Sequence, residues 1–172
     1  MQARTLLPCL FALSVMITGC PDSTGYPFSD KSSADNFDKA LIGFWLNNNE
    51  NAEAKEVFIK KGHEENTYTI KVTKEGSSFM ADTDTFTGWV TTFKKEKFLV
   101  LEEVYHGTSE GIFYLYQFKM DGNKLSTHYL NLESEVVEKI RSTGEYQDIV
   151  TKLMNGKGFL KGEINWEKLG RK

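Results

Sequence analysis

The side chains able to do chemistry are few and scattered. His63, His106 and His128 are the only imidazoles in 172 residues. His63 and His106 each adjoin a glycine, as solvated turn histidines do, and His128 sits inside a strand-like run beside Thr127. A zinc site needs several ligands at short spacing, such as HExxH or paired CxxC, and neither occurs, so no metal is expected. Asp82-Thr83-Asp84 opens like a calcium loop, but Thr87 holds the sixth position, where the sharp turn needs Gly, and no Glu stands at the twelfth. Glu102 and Glu103 are neighbours on one strand and so face opposite ways, which rules them out as an acid/base pair. With no GxSxG elbow, P-loop or GxGxxG, the sequence predicts a protein that is not an enzyme and carries no cofactor. One constellation remains: Tyr68, Trp89, Tyr114, Tyr116 and Tyr129 could line an apolar cavity, their rings holding a ligand's chain and their polar tips its head. The same rings could equally fill a core.

Composition points to sheet. Hydrophobic residues make up 40% of the chain and charged ones 26%, and 12 Phe, 7 Tyr and 3 Trp favour strands over helices. A formal charge of −3 excludes the basic face that nucleic acid requires. No proline lies beyond Pro27, which suits a chain committed to continuous hydrogen-bonded ladders.

Strand-like runs separated by turn signals follow: Gly43–Leu46, Glu56–Lys60, Thr67–Thr73, a short Phe79–Ala81, Thr85–Phe93, Phe98–Tyr105, Gly111–Met120 and Lys124–Leu132. Asp121-Gly122 is a strong hairpin signal. A meander of seven or eight strands leaves a sticky edge unless it closes, so the expected fold is a mainly β, antiparallel up-and-down barrel of about eight strands. Alternation assigns Tyr68, Ile70 and Val72, then Trp89 and Phe93, then Ile112, Tyr114, Tyr116, Phe118 and Met120 to the inner face. Phe98–Leu101 is apolar on both faces and demands an outside cover. A C-terminal helix can supply it: Glu135–Arg141 carries Val136, Val137 and Ile140 on one stripe, with Gly144 as a stop, and Tyr146–Met154 adds a second stripe. Phe159–Trp166 completes the sheet.

The N-terminus reads as an address. Arg4 precedes a largely apolar run, Leu6–Ile17, too short to span a bilayer but suited to a secretion signal. Ile17-Thr18-Gly19-Cys20 then resembles the lipobox of bacterial lipoproteins. The resemblance implies removal of residues 1–19, a diacylglyceryl thioether on Cys20, and attachment to the membrane through that lipid. Pro21 rather than Asp after the cysteine implies the outer membrane, facing the periplasm. Polar residues 20–34 read as a flexible tether and residues 35–172 as the barrel domain.

Asn36-Phe37-Asp38-Lys39-Ala40-Leu41-Ile42-Gly43-Phe44-Trp45-Leu46 resembles the lipocalin N-terminal signature with its Gly-x-Trp core. The resemblance covers about residues 36–169. It implies an eight-stranded barrel with an outside C-terminal helix, Trp45 plugging one barrel end and Gly43 allowing close backbone approach. Two family features are absent: the Thr-Asp-Tyr turn motif, and the Arg that packs across the plugging Trp just before the helix, where Asn131 and Leu132 stand.

Two functions fit. One is an envelope lipoprotein whose barrel binds a lipid or other small apolar ligand. The other is a filled barrel acting as an inhibitor, immunity or assembly module, contacting an envelope protein through loops His106–Gly111 and Asn47–Ala54.

Overall fold

A computed structural model describes residues 22–49, 54–74, 82–156 and 158–170. The signal segment, Cys20, Pro21 and the short run Phe79–Ala81 lie outside the described residues. Eight strands close into one antiparallel barrel: β1 (Gly43–Asn47), β2 (Ala54–Lys61), β3 (Thr67–Lys74), β4 (Asp82–Phe93), β5 (Glu96–Tyr105), β6 (Thr108–Asp121), β7 (Lys124–Leu130) and β8 (Leu160–Lys168). Each strand pairs with its neighbours in sequence, and β1 meets β8 at Trp45↔Lys168, Leu46↔Glu167 and Asn47↔Trp166. That seam is short, so the upper part of β8 has no β1 partner.

The expected mainly β, up-and-down barrel with a helix outside is what forms. The turns explain how so long a meander keeps register. Two connections are two-residue hairpin tips, Lys94-Lys95 and His106-Gly107, with every residue at positive φ. That is the geometry whose twist matches the flanking strands. Gly122 (φ 57) serves the third tight turn, at the pair signalled in the sequence.

Alternation divides the apolar residues into two cores. The inner core joins Leu41, Trp45, Ile59, Tyr68, Ile70, Val90, Leu99, Leu101, Phe118, Leu125 and Trp166 inside the barrel. The outer core joins Phe28, Trp89, Phe98, Val100, Leu115, Leu130, Leu132, Ile140, Tyr146 and Val150 between the barrel wall and its cover. The double-faced run Phe98–Leu101 contributes to both, as its composition requires.

Part of that cover is helical, with boundaries that differ from the expected ones. The first helical piece is a single turn, α1 (Ser134–Val137), not Glu135–Arg141. The second, α2 (Thr143–Met154), begins before Gly144 rather than after it. A local cap decides this: Ser142 Oγ accepts from Glu145 N at 3.2 Å, and the Glu145 carboxylate accepts from Arg141 N at 2.8 Å. The Ser142-x-x-Glu145 pair is a capping box in all but the exact donor, so Gly144 falls in the first turn and stops nothing.

The rest of the cover is N-terminal. Thr24 exchanges both backbone hydrogen bonds with Phe113, on the edge of β6 above the point where β7 pairing begins at Tyr116↔Tyr129. From there residues 24–35 cross the outer wall as a strap, with Phe28 buried between Phe93, Phe98 and Tyr146. The flexible tether expected up to Ala34 is therefore corrected. Polar composition hides one deeply buried aromatic and a run of backbone contacts, and these tie the segment down.

Candidate functional site

The five aromatic residues proposed from sequence do not form one cavity. Tyr68, Tyr114, Tyr116 and Tyr129 face the barrel interior; Trp89 does not. On β4 the inward positions belong to Phe86, Gly88 and Val90, and Gly88 leaves so little room that a Cβ there would stand 2.6 Å from Ile70 Cδ1. Trp89 thus points outward into the outer core, and Phe93 with it. Alternation gives two sets per strand but not which is inside. Here the larger rings lie outside, because the strap and α2 bury them there.

Tyr68 is inward but already engaged. It is 1% exposed, stacks on Phe37 at 4.9 Å, and its hydroxyl accepts from Asp38 N at 2.8 Å and donates to Asp38 O at 3.3 Å. It fastens the single-turn Lys39–Leu41 helix that closes this end of the barrel. Burial, only partly opposed by the Asp38 backbone hydrogen bond, raises its pKa above the ordinary tyrosine value. The same end is stopped by Trp45, fully buried, whose Nε1 donates to Leu41 O at 2.9 Å.

Toward the opposite end the inner wall loosens. Val72, Phe86, Tyr114, Tyr116 and Ile164 are only partly buried while still touching the inner core, and Tyr129, opposite Tyr116 in register, is also partly buried. Phe86 meets Tyr114 edge-on at 5.9 Å, and Tyr114 Oη donates to Glu103 Oε2 at 3.1 Å. Gly162, at φ 59, lies under the Tyr129 ring, where any Cβ would overlap it. Phe86, Tyr114, Tyr116, Tyr129 and the Glu103 carboxylate make an aromatic rim with polar tips.

Glu102 and Glu103 do face opposite ways, and the outward one builds the second cluster. The Lys31 ammonium is 2.7 Å from Glu102 Oε2 and 3.3 Å from Glu64 Oε1, and stands 5.7 Å over the Trp89 ring. Ser109 Oγ donates to the other Glu102 oxygen. Burial alone would lower the Lys31 pKa, but the hydrogen bonds and charges of Glu102 and then Glu64 prevail and hold it above its ordinary value. Alongside, Trp89 Nε1 donates to Ser29 O at 3.0 Å, Gln147 Nε2 donates to Phe28 O at 2.9 Å, and Thr92 Oγ1 donates to Asp35 Oδ2 at 2.6 Å. Sequence reading missed this strap. Its available signal was the excess of outward apolar residues on β4–β6, more than a 12-residue helix can cover.

Two clefts lie away from the rim. One, of about 400 Å³, opens at the β1–β8 seam between Asn47–Asn49 and Glu163–Glu167, next to the expected Asn47–Ala54 contact loop. The other, of about 410 Å³, runs between Leu132, Val136, Leu153 and Phe159 at the end of α2. The second expected contact loop, His106–Gly111, starts at a hairpin tip where Tyr105 is 63% exposed and edge-on to His106. Among the described residues no three His, Cys, Asp or Glu side chains are grouped to hold a metal ion, and no helix is long and apolar enough to cross a membrane. No family model, curated protein or solved structure matches the chain.

Proposed function

We propose that this is a lipid-anchored protein of the bacterial envelope whose barrel takes up a small apolar ligand with a polar end at the rim. The observation that carries the reading is the gradient along the inner wall. Trp45 and Tyr68 are sealed at one end, while farther along the wall Phe86, Tyr114, Tyr116 and Tyr129 are only partly buried, beside the buried Ile70 and Leu101 with which Phe86 and Tyr114 pair. Aromatic faces would hold an alkyl or ring system, while Glu103 and the tyrosine hydroxyls would accept from and donate to its head. The buried lower half makes this a shallow cup, suited to the end of a ligand and not to a whole lipid.

The anchor would act at close range. Only residues 21–23 separate Cys20 from Thr24, the first of the described residues to be hydrogen-bonded to the barrel. Four residue steps reach at most about 14 Å. An acylated Cys20 would hold the β6 wall beside the bilayer, which Pro21 after the cysteine assigns in this reading to the outer membrane.

Native mass spectrometry of the chain released from its membrane tests the cup. The expected result is a discrete added mass that solvent extraction removes, and that Tyr114→Ala or Tyr116→Ala diminishes without loss of fold. A bare mass after incubation with total membrane lipid would sink this reading. It would favour the second one, a filled barrel serving as an interaction module, which the contiguous packing around Trp45 also suits. Incorporation of labelled palmitate, lost in Cys20→Ala, tests the anchor separately.

A further inference from the structure

Large apolar side chains exposed among the described residues are Tyr26, Phe44, Phe58, Tyr105 and Leu169, and three of these share one patch. Phe44 on β1 stands directly opposite Phe58 on β2, their rings 5.7 Å apart and 37% and 39% exposed. Leu169, 50% exposed, adjoins them, since its N–H donates to Phe44 O at 2.9 Å. Elsewhere on the barrel the outward aromatics of β4–β6 are covered by the strap and α2. In an eight-stranded barrel β2 is four strands from β6, so the uncovered patch lies across the barrel from Thr24, the strap's first fixed residue.

Charge along β2 says what would cover it. Glu56 precedes Phe58 by two residues and Lys60 follows it by two, so all three share the outward face. A second copy laid face to face, related by a two-fold axis across the strands at Phe58, would set each Glu56 against the other copy's Lys60. It would bury both Phe44–Phe58 pairs between the sheets. Such self-complementarity is what an isologous interface requires. We propose that the β1–β2 wall is the contact face of a homodimer, built on Phe44 and Phe58 and registered by reciprocal Glu56–Lys60 pairs. Lys71, opposite Phe58 on β3, lies at the rim near the axis, where its long stem turns the ammonium to water. Three exposed apolar side chains make less than a standard interface of about 800 Å² per partner, so, resting here on the membrane anchor proposed above, the pair depends on copies being concentrated on one membrane.

The test uses the full chain in its membrane. Lys71→Cys, treated with a bismaleimide bridging about 10 Å, the spacing of face-packed sheets, should give a cross-linked dimer well above the wild-type background. His128→Cys on the β7 wall should give none. Adding Phe58→Ser or Glu56→Lys to Lys71→Cys should abolish the dimer, and adding Glu56→Lys with Lys60→Glu should restore it. The charged positions are exposed or half-exposed, so these variants keep the fold. No dimer from Lys71→Cys, a dimer indifferent to Glu56→Lys, or a cross-linked product of another mass would each overturn the proposal.

Discussion

The Lys168 ammonium, at the end of β8, stands 5.1 Å over the Trp45 ring and donates to Ala40 O at 2.6 Å. A cation therefore crosses the buried Trp from the C-terminal end of the sheet, although the Arg of the lipocalin pattern is missing from the residues before the helix. Gly43 makes the crossing possible. Its φ is 148, and a Cβ there would stand 2.6 Å from Lys168 Cε. Gly43, Trp45 and Lys168 are one device: the glycine leaves the channel, the lysine fills it, and the indole receives the charge.

Gly43→Ala should accordingly destabilise the barrel by about 1–3 kcal/mol through backbone strain alone, and further through the collision with Lys168. Lys168→Ala should cost less, about 0.5–1 kcal/mol for an exposed cation–π contact. The decisive measurement is the urea midpoint of the double variant. Because Lys168→Ala removes the collision, the double variant should be more stable than the sum of the single losses predicts. Strict additivity would mean that the two residues do not interact.

Lys95 should be improvable. Lys94 and Lys95 form a two-residue hairpin tip at φ 49 and 73, a backbone that suits Asn-Gly and strains a lysine. Lys95→Gly should stabilise by about 1 kcal/mol, less the entropy a glycine adds to the unfolded chain. Lys94 is better kept, since its ammonium lies 5.8 Å over the Phe93 ring. Thermal unfolding of the two single variants, Lys95→Gly and Lys94→Gly, checks the ranking.

That turn also shows where sequence reading runs out. Period-two alternation and turn signals placed all eight strands within three residues at each end, because half-buried strands must alternate; the extra short run Phe79–Ala81 lies outside the described residues. Gly43-x-Trp45 is marked as a unit by the resemblance to the lipocalin signature, not by alternation. Alternation could not assign the sides of β4, since Trp89 and Val90 are both apolar and only the cover outside decides which faces in. Nor could it see Phe28 as a buried anchor, because burial there comes from Tyr146 and Phe98, 118 and 70 positions away. Of the five cavity candidates the inner wall keeps four. Glu103, a partner at the rim, was considered in sequence only as half of an acid/base pair.

Alkaline pH should unfold the protein through its buried phenols. Burial, with Asp22 adding a smaller repulsion, pushes the Tyr146 hydroxyl far above its ordinary value of 10.0, and Tyr68 is raised as well. A raised folded pKa means that the fold favours the neutral phenol. Its stabilisation is complete below about pH 10, where the unfolded chain also keeps the proton. It is lost as pH climbs through the folded value, at up to about 1.4 kcal/mol per pH unit for each such group. Lys31, also raised, adds a loss of the same sign at its own higher onset. Urea midpoints should be flat from about pH 8 to about pH 9.5 and fall beyond. Tyr146→Phe should remove the largest part of that fall; an unchanged slope would exclude Tyr146 as its source.

The strap should be removable without opening the barrel, because its contacts all lie on the outer wall. Phe28 is 1% exposed, with ring centroids 5.1 Å from Phe93 and 5.4 Å from both Phe98 and Tyr146. Truncating so buried a ring costs about 3–5 kcal/mol when the site cannot collapse. A surface segment instead escapes by peeling, so the loss is capped at its own docking free energy. Phe28→Asp should therefore expose the Trp89 indole, red-shifting its emission, and open the Lys31-Ser32 bond of the strap to trypsin, while Trp45 stays buried. Lys31→Ala should loosen the strap less, by about 1 kcal/mol, since the lysine is partly solvated. The consequence at the membrane is geometric. With the strap docked, the first fixed residue is Thr24; with it peeled, fixation begins near Asp35, and 15 flexible residues after Cys20 average about 20 Å. Distance measurements from a bilayer probe to the barrel should lengthen in Phe28→Asp and stay constant in a variant away from both the strap and the β1–β2 wall, such as the exposed Lys161→Ala.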